Sequence, residues 1–130
     1  MGIVSNGLGK GYGHDILEKF SLAEFFQSQV FREDIQRSKP DPDPLLRALK
    51  KLEMPITEKD VIWYIGDRHK DVAAALAADE KLPAKVVPFA YGLHASMAIL
   101  EKGQNPDQII MNYADFAAKI FPLLSGNEAT

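Results

Sequence analysis

Val61-Ile62-Trp63-Tyr64-Ile65 is an unbroken run of β-branched and aromatic residues stopped by Gly66-Asp67. A run with no charged position reads as a strand buried on both faces. Sheets built from such strands are parallel and carry helices on both sides, because parallel strands need long crossover connections.

The rest of the chain supplies those parts in alternation. Gly2 to Val4 reads as a short buried strand ending at Ser5-Asn6-Gly7. A glycine-rich stretch, Gly7 to Gly13, precedes a helix over His14 to Phe20, and Gln27 to Phe31 reads as a strand. In Lys39-Pro40-Asp41-Pro42-Asp43-Pro44 the alternate prolines predict an extended segment. Asp43 and Pro44 then suit the start of a helix with Leu45, Leu46, Leu49 and Leu52 on one stripe. Asp71 to Ala78 is alanine-rich and helical, Lys85 to Phe89 is a strand, and Ala95 to Lys102 is a helix stopped by Gly103. Gln108 to Met111 and Asp115 to Leu124 give a last strand and helix. The expected fold is α/β, a Rossmann-like parallel sheet with helices on both faces. It forms one domain over residues 1–124, followed by a frayed tail from Ser125 to Thr130.

Composition narrows the function classes. The chain has 130 residues, 46% of them hydrophobic, with a net charge of -3. That is ample for one packed core and lacks the basic surface that nucleic acid selects. Cysteine is absent, which excludes disulfides, thiolate catalysis and cysteine metal sites and fits a cytoplasmic location. The apolar runs are strand-sized, so neither a membrane span nor a signal peptide is expected.

Open parallel sheets bind ligands beyond the carboxyl ends of their strands, and three groups of polar residues fall there. Ser5, Asn6 and Gly7 offer a hydroxyl and successive backbone N–H groups that can hold phosphate oxygens. The same residues also make ordinary turns. Lys39, just before the prolines, could neutralise a phosphoryl group, although most lysines simply face solvent. Asp67 follows the apolar strand and Asp71 comes four residues later. Carboxylates so spaced share one helix face and can aim at one hard cation such as magnesium, or else they serve as a turn and a helix cap. Arg68-His69-Lys70 is a cationic run that could meet an anionic substrate but reads more simply as a solvated helix turn.

Taken together, Ser5, Lys39-Pro40 and Gly66-Asp67-x-x-x-Asp71 resemble, in order and spacing, the second, third and fourth motifs of the haloacid dehalogenase superfamily. Phe25-Phe26, Arg32-Glu33-Asp34-Ile35 and Lys39-Pro40-Asp41-Pro42 are similar to its phosphoglycolate-phosphatase-like members. The resemblance runs from Gly2 to about Tyr91-Gly92. It implies a magnesium-dependent phosphatase acting on a small phosphate ester through an aspartyl-phosphate. Ser5, with Asn6 and Gly7, would bind the phosphoryl group, and Lys39 would bridge it to the nucleophile. Asp67 would ligate Mg2+, with Asp71 ligating or supporting it.

The family's first motif, an Asp-x-Asp run after an apolar strand, has no counterpart upstream of Ser5. The cap domain that separates the first two motifs is likewise not in this sequence. Asp41-x-Asp43 has the spacing but follows Lys39-Pro40 rather than a strand. In the family the first-motif strand lies between the strands that end here at Ser5 and Asp67. Its absence is expected to leave two strand edges facing a gap. A complementing N-terminal segment or a second copy in a homodimer would fill that gap, or the Gly2–Val4 and Val61–Ile65 strands would pair with each other. The isolated chain is then expected to bind magnesium weakly and to be inactive. The alternative is a non-catalytic remnant or interaction module on the same sheet. A phosphorelay receiver, which also uses aspartates and Lys-Pro, carries its motifs in the wrong order.

Overall fold

The computed structural model describes residues 1–5 and 9–124. The tail expected over residues 125–130 lies outside the described residues. The chain alternates strands and helices. β1 (Gly2–Val4), α1 (Lys10–Lys19), β2 (Ser28–Val30), α2 (Asp43–Lys51) and β3 (Val61–Gly66) are followed by α3 (His69–Lys81), β4 (Lys85–Tyr91), α4 (Leu93–Glu101), β5 (Ile109–Ile110) and α5 (Tyr113–Leu124). Every strand pairing among the described residues is parallel, as the α/β reading requires. No helix among the described residues is long and apolar enough to cross a membrane.

The strands do not form one sheet. β1 pairs with β2, β3 pairs with β4 and β4 with β5, giving sheets of two and three strands. The expected closure of β1 onto β3 does not occur, so each keeps an open edge. Helix α2 bridges the two units. Its Leu45 packs with Ala74, Ala75 and Ala78 of α3 and Val86 of β4, while Ser28 of β2 donates its hydroxyl to the carbonyl of Ala48 at 2.6 Å.

Two sequence expectations change. β3 is not buried on both faces: Val61 is 60% and Ile65 43% exposed, and among the described residues no strand pairs with its other edge. The proline segment is not extended either. Asp41 N–H donates to the Ser38 carbonyl at 3.1 Å, closing a turn around the cis Lys39–Pro40 bond. Pro42 is helical, at φ −73° and ψ −8°. Prolines fix φ, but that φ suits a tight turn as well as an extended segment, and alternation alone does not separate the two.

Between the open edges lies an apolar groove of about 310 Å³, lined among others by Gly2, Val4, Val61, Ile62 and Tyr64. Gly2 and Val61 start their strands at this groove. At their far ends, Ser5 and Gly66 line a second, polar cavity. β1 and β3 therefore run in the same direction on either side of the groove.

Packing against β4 depends on small side chains. Ala74, Ala75 and Ala78 of α3 are fully buried. A similar closeness fixes α1, where a Cβ on Gly13 would lie 2.4 Å from the Phe31 ring. Ala75→Leu should overpack the α3–β4 contact and lower unfolding free energy by about 1–3 kcal/mol. Denaturant titration checks this, and an unchanged midpoint would show that the contact has slack.

Candidate functional site

Four of the residues singled out in the sequence meet at one place. Ser5, Lys39, Asp67 and Asp71 line a polar cavity of about 510 Å³ at the carboxyl ends of β1 and β3, together with Val4, Tyr64, Ile65, Gly66, Arg68 and Lys70. Asn6 and Gly7, the other expected phosphate-binding residues, lie outside the described residues.

Asp71 organises the cavity. It stands in the first turn of α3 and is 5% exposed. Its Oδ2 accepts the backbone N–H groups of Asp67 at 3.0 Å and Arg68 at 3.1 Å. This satisfies N–H groups that a helix start leaves unpaired, with a negative charge where the helix dipole favours one. Its Oδ1 accepts Lys39 Nζ at 2.5 Å and the Tyr64 hydroxyl at 3.4 Å. Lys39 Nζ also donates to the Tyr64 hydroxyl oxygen at 3.0 Å. The ion pair is shielded from water, its side chains being 11% and 7% exposed. Gly66 makes this approach possible: a Cβ there would fall 2.3 Å from the Asp71 Cβ.

Tyr64 is the member that the sequence reading missed. Strand alternation places it on the face it shares with Gly66. A tyrosine in an otherwise apolar strand carries a hydroxyl that seeks a partner, and that was the available signal.

Asp67 differs from Asp71. It is exposed, and its carboxylate accepts no hydrogen bond from the described residues. Arg68 and Lys70 are exposed and have no carboxylate partner among the described residues. Asp41 and Asp43 are engaged elsewhere: Asp41 Oδ1 accepts Asp43 N–H at 2.9 Å, and Asp43 Oδ2 accepts Arg47 Nε at 2.9 Å. Neither lines the cavity, so they are not placed to act as its nucleophile.

Magnesium wants about six oxygen ligands in octahedral array, including one or two carboxylates. Both oxygens of Asp71 already accept protein donors, which leaves the carboxylate of Asp67. Among the described residues no three histidine, aspartate or glutamate side chains are grouped to hold a metal. The described residues therefore do not make a magnesium centre by themselves. Asp71, expected as ligand or support, accepts protein donors on both oxygens.

Burial by itself would lower the Lys39 pKa. The hydrogen bond to Asp71, the Tyr64 hydroxyl and the Asp71 charge outweigh it, and the net direction is upward from 10.5. Burial raises the Tyr64 phenol above 10.0, opposed by the neighbouring Lys39 charge and its hydrogen bond. For both groups the folded-state pKa exceeds the unfolded one. Their contribution to stability is thus complete below the unfolded values and is lost as pH rises through the folded ones. Denaturation midpoints should fall above about pH 10, where lysine and tyrosine begin to titrate. Lys39→Met should be less stable at neutral pH, and Lys39→Met combined with Tyr64→Phe should lose less on going alkaline. An identical alkaline slope in the double variant would contradict this.

The sequence profile of the haloacid dehalogenase-like hydrolases matches residues 1–84. Phosphoglycolate phosphatase of Salmonella paratyphi A is 30% identical over 100 residues, covering 77% of this chain and 36% of that enzyme. The Escherichia coli K12 phosphoglycolate phosphatase is 35% identical over 63 residues, covering 48% of this chain and 24% of that enzyme. The chain thus spans about a third or less of the length of these relatives. The crystal structure of a Had-superfamily hydrolase from Ehrlichia chaffeensis superposes with a TM-score of 0.69 at 24% identity, over 95% of this chain and 50% of that one. That likeness establishes a shared fold.

Proposed function

The chain belongs to the haloacid dehalogenase-like hydrolases, and we propose that it forms the phosphate-holding side of a phosphatase acting on a small phosphate ester. One observation carries the proposal. A buried Lys39 ammonium, fixed by Asp71 and Tyr64, borders the same cavity as Ser5 and Asp67 at the carboxyl ends of parallel strands.

In this reading Lys39 stabilises the negative charge of a phosphoryl group and of the carboxylate that attacks it. The Ser5 hydroxyl donates to a phosphoryl oxygen. Asp71 keeps Lys39 charged and in place. Asp67 is the carboxylate open to a cation, so magnesium dependence belongs to the same proposal, with the remaining ligands supplied from outside the described residues. The aspartyl-phosphate route needs an attacking carboxylate. We place its source on a strand seated in the groove between β1 and β3, because both edges there are open and Val4 and Tyr64 line both the groove and the cavity.

The second reading is an interaction module whose groove holds a partner strand, or a second copy, without chemistry. The exposed apolar edge at Val61 and Ile65 favours it.

One experiment separates the two. The 130-residue chain should hydrolyse p-nitrophenyl phosphate negligibly. A longer chain that adds an apolar strand followed by Asp-x-Asp should turn it over in the presence of magnesium. That activity should fall by at least about 100-fold on Lys39→Ala or Asp67→Ala, the scale of losing one preorganised charge-stabilising group. Binding of the added strand without turnover supports the interaction module. Robust turnover by the 130-residue chain itself, abolished by Asp67→Ala, overturns the placement of the nucleophile.

A further inference from the structure

Tyr64 reaches from the apolar core into the polar cavity. Its ring packs with Ile62 against the cluster of Leu45, Ala74, Ala75, Ala78 and Val86. Its hydroxyl closes a triangle with Lys39 and Asp71, at 3.0 Å from Nζ and 3.4 Å from Oδ1, while Nζ and Oδ1 are 2.5 Å apart. The phenol accepts one N–H from the lysine and donates its own proton to the carboxylate.

A lysine ammonium has three N–H donors and no acceptor. Asp71 takes one, and an ammonium held at a single point can still spin about that contact on a flexible four-carbon stem. A second acceptor at a fixed angle removes that freedom. Tetrahedral geometry then sets the direction of the third N–H, and Lys39 lines the cavity that also holds Ser5 and Asp67.

We propose that Tyr64 is a positioning residue: by accepting the second N–H of Lys39 it locks the ammonium's rotation and reserves the third N–H for an anionic group in the cavity. The use of that third N–H on a phosphoryl oxygen rests on the function proposed above; the lock itself does not. The strand that carries Tyr64 is tied to β4 along its whole length, from Val61↔Lys85 to Gly66↔Ala90, so the hydroxyl is held on a rigid element rather than on a loop. Phenylalanine at this position would keep the ring in its cluster and remove the lock.

The test reads the ammonium directly in the 130-residue chain, with no phosphate present. Lysine-selective 1H–15N NMR of the ammonium groups should show one signal sharp at neutral pH, assigned to Lys39 by its loss in Lys39→Gln. Freely rotating, solvated ammonium groups exchange their protons too fast to be seen. In Tyr64→Phe the Lys39 signal should exchange at least about tenfold faster, the factor matching loss of one hydrogen bond to a charged group, while the backbone amide spectrum stays folded. A lowered melting temperature with an unchanged Lys39 signal would mean that Tyr64 only packs, and would overturn the proposal. Should Tyr64→Phe not fold, the wild-type chain still decides. A protected Tyr64 hydroxyl proton with a cross-peak to the Lys39 ammonium supports the lock, and its absence overturns it. Because no anion enters the experiment, failure of the phosphatase reading would leave this result intact, and the converse holds as well.

Discussion

The site is built around one buried ion pair. Breaking such a pair by removing one partner strands a charge away from water, at a cost of about 3–5 kcal/mol. Each oxygen of Asp71 accepts hydrogen bonds, from Lys39 and Tyr64 on one side and from the amides of Asp67 and Arg68 on the other. One side chain thereby fixes the start of α3, the turn that follows β3 and the position of the lysine in the turn before α2. The absence of a Cβ at Gly66 lets these three segments come together.

The second constraint is the division of the sheet. A parallel strand with nothing on one side leaves backbone donors and acceptors along an edge, and natural sheets seldom leave an apolar one open. Here two such edges flank one groove, and α2 holds them apart at a fixed spacing by packing against both units. The groove is apolar along the strands and opens into the polar cavity at their carboxyl ends. A strand placed there would satisfy both edges and deliver its last residues to Lys39. Sheet closure and completion of the chemistry are therefore the same structural event in this account.

Much of this arrangement was legible in the sequence. Periodicity and turn residues gave the strand and helix order, and the strand ends pointed to Ser5, Lys39, Asp67 and Asp71, which share one cavity. Four features were not legible, each for a physical reason. The exposure of Val61 and Ile65 depends on what packs around β3, and an apolar strand reads the same whether or not that neighbour is present. The turn at Lys39 is closed by a hydrogen bond from Asp41 N–H to the Ser38 carbonyl, which the proline spacing does not report. The different duties of Asp67 and Asp71 come from a difference in depth: spacing of four puts both on one face, but only the buried one is consumed by protein donors. Tyr64 was hidden by its aromatic character, which suits a strand core so well that the hydroxyl drew no attention.

The central claim is that Lys39, Ser5 and the turn after β3 form an anion site for a phosphoryl group. Titration of the 15N-labelled chain with inorganic phosphate, followed through its backbone amides, tests it most directly. The account predicts saturable shifts concentrated at Ser5, Lys39, Gly66, Asp67 and Arg68, and their loss in Lys39→Ala while amides remote from the Asp71 cluster stay folded. Shifts that are absent up to high phosphate, or that spread over the exposed lysines and persist in Lys39→Ala, would contradict it.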